Sequence, residues 1–247
     1  MSLVKIDENG KGGFACSWSI DLEIGCRNAC KGCYGSKTSY MSTNYFENIK
    51  SKEYNEDKFR ASCKLAYKKG VRNVRYSKHS DSSSSHLLQD FKSVLKITGE
   101  EGIRLVVVSK SIEYDDEVAE LLKSGNHTLH ISLGMITNAP SDMERVFVYR
   151  NYLAAGVAAK LRIVDDVTKP CKWGINDEHI GNVIITPMRY TSKAIAEEYD
   201  ADLSKYTWEG GYYYAKLPVH PSWDRFKNWC GDIQNCCCCL VSEEEKK

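Results

Sequence analysis

From residue 71 to residue 199, short apolar runs of strand length alternate with stretches of helical periodicity, and few folds accommodate that rhythm. The clearest run is Ile103-Arg104-Leu105-Val106-Val107-Val108-Ser109, apolar on both faces apart from Arg104, as a strand inside a parallel sheet must be. Residues 71–77, 128–133, 158–164 and 182–187 read as further strands, and 14–22 alternates well enough to be the first. Helices are expected over 56–69, 87–98, 115–124, 141–155 and 192–199. Gly70, Gly125 and Gly156 stop three of them, and Ser141 followed by Glu144 is a capping-box pattern. Strands alternating with helices imply right-handed βαβ units and a parallel sheet. Six such units are too few for a closed eight-stranded barrel; an α/β fold built as an open, TIM-like partial (β/α)6 barrel fits them.

The second constraint is the run Ile24-Gly25-Cys26-Arg27-Asn28-Ala29-Cys30-Lys31-Gly32-Cys33-Tyr34-Gly35. Three thiolates spaced C-x3-C-x2-C on one short loop can hold three irons of a [4Fe–4S] cube and leave the fourth without a protein ligand. An open coordination position separates a reactive metal site from a closed structural one. Gly25, Asn28, Ala29, Gly32 and Gly35 give the loop the small or flexible residues that close packing of ligands demands. Zinc or plain electron transfer is the blander use of clustered cysteines, but zinc wants a second half-site, and no histidine or cysteine falls between Cys33 and Cys63.

Bulk properties agree with an ordinary globular protein of one or two domains. The chain has 247 residues, 42% hydrophobic and 27% charged, with a formal net charge of +1. Whole-chain charge therefore gives no support for a nucleic-acid or membrane partner. No apolar stretch reaches the ~20 residues of a membrane helix and no signal-peptide pattern opens the chain, so a cytoplasmic protein is expected. Eight of the eleven cysteines fall in two tight clusters, which favours metal ligation in a reducing compartment over a disulfide scaffold. Cys16 and Cys63 read as buried core cysteines.

The cysteine loop, with its aromatic Tyr34 directly after the third cysteine, resembles the cluster-binding loop of the radical S-adenosylmethionine (SAM) superfamily. The resemblance covers roughly residues 14–189 and implies the same partial barrel, a [4Fe–4S] cluster on Cys26, Cys30 and Cys33, and SAM on the open iron. It also implies reductive cleavage of SAM to a 5′-deoxyadenosyl radical that abstracts hydrogen from a substrate. An electron donor of flavodoxin or ferredoxin type would be a partner. In parallel α/β folds the working surface lies beyond the carboxyl ends of the strands, and these ends are polar here. After the second strand, Tyr76-Ser77-Lys78-His79-Ser80-Asp81 departs from the family's Gly-Gly-Glu-like element and is loosely similar to the Ser-Gly-Asp of some phage-encoded members. The resemblance gives Asp81, with Ser80 beside it, to the SAM amino group; the alternative is a helix cap or serine-rich turn. Ser109 and Ser132 would touch the SAM ribose or carboxylate, or simply form turns. Arg162, between apolar neighbours, needs an anion, either the SAM carboxylate or Asp165 or Asp166. Tyr34 would lie near the adenine. Lys110, Thr186, Met188 and Arg189 also stand at strand ends, and His79 and His130 could reach substrate there.

The last feature is Trp229-Cys230-Gly231-Asp232-Ile233-Gln234-Asn235-Cys236-Cys237-Cys238-Cys239. Consecutive side chains in extended backbone point to opposite sides, so Cys230 with Cys236 and one or both of Cys237 and Cys239 is the workable set. It would hold a second Fe–S cluster or zinc, with Cys171 as a further ligand; redox-active disulfide chemistry is the third reading. Residues 1–200 are thus expected to form the barrel and 201–247 a cysteine-rich extension. A small barrel with a wide mouth suits a macromolecular substrate, peptide or nucleic acid. A non-enzymatic zinc or Fe–S binding module is the rival of a different class.

Overall fold

The computed structural model describes residues 3–8, 17–33, 48–209, 212–216 and 219–230. Cys16, Tyr34, Cys236, Cys237 and Cys239 lie outside them. The strands are β1 (Asp7–Glu8), β2 (Trp18–Ile20), β3 (Glu23–Ile24), β4 (Lys50–Ser51), β5 (Asn73–Tyr76), β6 (Arg104–Ser109), β7 (Thr128–Leu133), β8 (Ala159–Asp165), β9 (Val183–Pro187), β10 (Tyr206–Glu209) and β11 (Tyr212–Ala215). The helices are α1 (Glu56–Lys68), α2 (Leu88–Glu100), α3 (Asp116–Ser124), α4 (Asp142–Ala154) and α5 (Lys193–Glu198).

Seven strands form one sheet in the order β1-β2-β5-β6-β7-β8-β9. Within this sheet every pairing from β2 to β9 is parallel, β5 lies beside β2, and each later strand lies beside its predecessor in the sequence. The edge strand β1 pairs antiparallel with β2, an addition that a two-residue polar segment could not announce by periodicity. The segments β3 and β4 form a separate two-stranded ribbon, and β10 with β11 forms a hairpin. Among the described residues no helix is long and apolar enough to cross a membrane.

Most elements end where local chemistry says they should. Ser141 caps α4 through the complete capping box with Glu144, and Asn55, Asp115 and Ser192 cap α1, α3 and α5. The strand expected over 71–77 is shorter, because Val71 still bonds back to Ala66 of the preceding helix and Ser77 turns at φ 62. Ser77 sits in the left-handed region and sends the chain over the top of the sheet.

Strand periodicity divides the sheet into two chemically different faces. Val74, Leu105, Val107, Leu129, Ile131, Leu161 and Ile163 point toward the helices, where Phe59 of α1, Phe91 of α2 and Val118 of α3 join them in one apolar core. Each such side chain contributes about 1.5–3 kcal/mol when fully buried. The opposite face carries Arg75, Thr128, His130, Ser132, Arg162 and Thr186, beside an apolar patch of Val106 and Ile184 packed by Val108 and Cys230, and Val164. Burial of so many polar groups on one face needs a reason beyond stability.

Candidate active site at the carboxyl ends of the strands

That polar face opens into a cavity of about 380 Å³, within the range of small-molecule sites. Its wall takes Cys26, Cys30 and Cys33 from the loop after β2, Ser80 and Asp81 after β5, and Ser109 and Lys110 from the end of β6. Ser132 of β7, Arg162 of β8, Thr186 of β9 and Cys230 complete it. Every parallel strand thus delivers a residue to one place.

The cysteine loop reverses direction through Gly25 at φ 97, Ala29 at φ 44 and Gly32 at φ 77. Gly32 is also steric: a Cβ there would stand 3.1 Å from Ile195 Cγ2. Three neighbours clamp the loop. Asn28 O accepts from Asn138 N at 2.8 Å and from Thr137 Oγ1 at 2.6 Å, and Lys31 N donates to Ile136 O at 2.9 Å. Tyr199 donates from its hydroxyl to Lys31 O at 3.1 Å, while Lys31 Nζ pairs with Glu198 at 2.7 Å. Cys30 Sγ donates to Thr137 Oγ1 at 3.3 Å.

Asp81 is the third clamp. Its carboxylate accepts five hydrogen bonds, from Asn28 Nδ2, Ser83 Oγ, Ser109 Oγ, Lys110 N and Ser111 N, at 2.6–3.1 Å. A carboxylate offers about four lone-pair positions, so these donors fill it. It therefore ties the cysteine loop to the ends of β5 and β6. Ser109 spends its hydroxyl on Asp81 and on the amides of Ser111 and Ile112. Ser80 donates to Asp21 Oδ1 at 3.3 Å.

Burial and charge tune the wall. Burial pushes the Cys26 thiol well up, and the nearby Asp81 carboxylate adds to it. A thiol kept protonated in this way is deprotonated outright once a metal ion binds it, so the three sulfurs fit a metal cluster as ligands. Among the described residues no three Cys, His, Asp or Glu side chains converge on one point as a single ion requires. A cube places each thiolate on its own iron. Lys110, absent from sequence expectations as a buried cation, has its ammonium pulled down to about 8 by burial, and donates to Gly134 O at 2.9 Å and Ser132 O at 3.4 Å. Arg162 donates to Thr186 Oγ1 at 3.1 Å and to Cys230 Sγ at 2.9 Å.

Several expectations are corrected by position. His130 lies in the middle of β7, fully buried and outside the cavity lining, and burial followed by the Arg162 charge holds it well below the usual imidazole range. His79 is turned to Asp21, with Nδ1 3.4 Å from Oδ2. Cys171 packs on the helix-side core, whereas Cys230 sits on the other face of the sheet, so the two do not share a site. Cys63 is core, as expected.

Comparison with protein families closes the description. The family model of the radical SAM superfamily matches residues 24–169, and no curated protein matches the chain.

Proposed function

Because the chain belongs to the radical SAM superfamily, we propose that Cys26, Cys30 and Cys33 hold a [4Fe–4S] cluster at one wall of the cavity and that SAM fills the space beside it. When bound, this pair supplies reductive cleavage of SAM to a 5′-deoxyadenosyl radical, which takes a hydrogen atom from a substrate. The open parallel sheet is then a partial (β/α)6 barrel spanning residues 1–200, with 201–247 as its extension.

The chain's own residues bind and orient. Arg162, at the far wall, supplies a guanidinium for the SAM carboxylate. Asp81 presents a carboxylate at the cluster end, where the amino group would lie, and its hydrogen bonds fix that side chain in position. Ser80, Ser109 and Ser132 give the wall polar contacts, and Tyr34, next to Cys33, is assigned to the adenine. Met188 and Val164 exclude water from the β8–β9 side. An electron donor of flavodoxin or ferredoxin type would deliver the electron, which assigns the protein to the cytoplasm. Cys236, Cys237 and Cys239, with Cys230, remain the proposed ligands of a second cluster or zinc.

The observation that carries this reading is the meeting of all three thiols with the ends of six parallel strands at one cavity. The test is anaerobic reconstitution followed by iron, sulfide and zinc analysis, with 5′-deoxyadenosine measured after adding dithionite and SAM. About four irons per chain with deoxyadenosine support it, about eight add the second cluster, and Cys30→Ala loses deoxyadenosine formation. Zinc without iron and no deoxyadenosine refutes it.

A further inference from the structure

The sulfurs of the cysteine loop stand in an uneven field. Cys26 feels the Asp81 carboxylate, whereas Cys30 is the titratable group that acts most strongly on the Lys110 ammonium, ahead of Arg145, Asp142 and Asp81. Lys110 and Cys30 line the same cavity, and Lys110 is only 8% exposed. Arg145, 3% exposed, stands behind it and lies within electrostatic reach of Cys30 as well.

One strap of chain fixes this arrangement. After β7 the backbone turns through Gly134 at φ 75 and Met135 at φ 67, two successive left-handed residues. Carbonyls of this turn hold the ammonium, with Lys110 Nζ 2.9 Å from Gly134 O and 3.4 Å from Ser132 O. Arg145 Nη1 donates to that same Ser132 O at 2.8 Å, and its Nη2 pairs with Asp142. Three residues past Gly134, the Thr137 hydroxyl accepts from Cys30 Sγ at 3.3 Å. The strap thus ties both cations and the middle cysteine to one piece of backbone. Arg145 has Asp142 as its counter-charge, so the net charge left beside Cys30 is that of Lys110. Carbonyls meet the hydrogen bonds of Lys110, and it calls for no further ligand. Their dipoles do not cancel its charge, which burial leaves poorly screened.

A [4Fe–4S] cluster on three thiolates carries net negative charge, and an added electron makes it more negative. Its potential follows net charge, hydrogen bonds to the sulfurs and exposure. We infer that Lys110 sets the reduction potential of a cluster on the cysteine loop, its positive charge beside Cys30 raising that potential above what the loop alone would give. The inference rests on the radical SAM reading for the presence of the cluster. In this role Lys110 touches neither substrate nor the reacting atoms; it acts through its charge. A lysine needed only for packing would leave the potential unmoved when a neutral side chain took its place in a folded, iron-loaded protein.

The test is a redox titration of the anaerobically reconstituted full chain without SAM, read by electron paramagnetic resonance of the reduced cluster, with iron counted in every sample. Lys110→Met should lower the reduced-to-oxidised ratio at a fixed potential about tenfold, a midpoint shift of about 59 mV to more negative values. Lys110→Arg, which keeps the charge, should stay near the parent. Lys123→Met removes the same charge from the last turn of α3, near the start of β7 and away from the cavity, and should not shift the midpoint. Should Lys110→Met lose its iron, Lys110→Gln, which keeps donors for the two carbonyls, must show the drop. A midpoint equal in Lys110→Met and the parent, an equal fall in Lys110→Arg, or iron lost from both neutral variants overturns the inference. An unmoved midpoint in iron-loaded protein defeats the inference alone, whereas a parent that takes up no iron defeats the radical SAM reading and the inference with it.

Discussion

Asn28, between the first and second cysteines of the loop, donates from Nδ2 to Oδ2 of Asp81 at 2.8 Å, across 53 residues of sequence. Its own Oδ1 accepts from Ser111 Oγ at 2.5 Å, so one amide links the cysteine loop to the loops after β5 and β6. Asp81→Asn would turn an NH2 group toward donors that now meet a carboxylate oxygen, leaving buried groups opposed. Loss of roughly 3 kcal/mol or more is expected from several charge-assisted bonds, read from the urea midpoint of the cluster-free protein. Iron retention after desalting should fall as well. A midpoint equal to the parent's would mean that the network is ornamental.

Lys110 gives a pH signature. Burial lowers its pKa to about 8 from 10.5, so the unfolded chain holds the proton between those values while the folded chain has lost it. Folding stability from this group therefore rises with pH from about 8 to 10.5, and its penalty of about 3 kcal/mol is fully present below pH 8. Lys110→Met removes the titration. The stability difference between parent and variant should shift in the parent's favour as pH increases from 7.5 to 9.5; a constant difference would contradict the assignment.

The buried imidazole of His127 works at the opposite end of the scale. Nδ1 accepts from Leu105 N at 3.0 Å, Nε2 lies 3.0 Å from Leu95 O, and burial brings its pKa down to about 4. The unfolded state binds the proton first, so stability should decline as pH falls from 6.5 toward 4, by roughly 3 kcal/mol in all. A His127→Gln variant should flatten that part of the pH–stability curve, and urea titrations at pH 7 and 5 will show whether it does.

Gly134 sits at φ +75, and a Cβ there would lie 2.1 Å from the carbonyl oxygen of Val164. Its own carbonyl receives Lys110 Nζ, so a shift at this point moves the cavity floor. Gly134→Ala should cost at least about 2 kcal/mol from clash and backbone strain together, visible as a lower thermal midpoint. Gly174→Ala, with open space around its Cβ position, is the matched control.

What the sequence disclosed depended on how far apart the interacting residues stand. Thr128–Leu133 matches its expected bounds because strand and helix signals are local, as does the Ser141–Glu144 capping box. The cysteine spacing is local too, and it singled out a loop that lines the cavity. The role of Asp81 was hidden, because its donors come from positions 28, 83 and 109–111 and only folding joins them. Lys110 read only as a residue at a strand end, since nothing local says that the chain of residues 132–134 will cover it. Cys230 read as partner to its sequence neighbours, yet the Ile185–Asn228 and Cys230–Ile185 backbone bonds draw it onto β9 and into the cavity.

Sequential strand order has a consequence for biosynthesis. With each parallel strand of the sheet beside the one formed before it, the βα units can dock in the order in which they leave the ribosome. The cavity behaves otherwise. Its sulfur-bearing loop is translated first, but Arg162, Thr186 and Cys230 come from the second half of the chain. A nascent chain therefore displays Cys26, Cys30 and Cys33 well before the wall that will shelter them exists. The cavity is therefore complete only once β9 and Cys230 are in place.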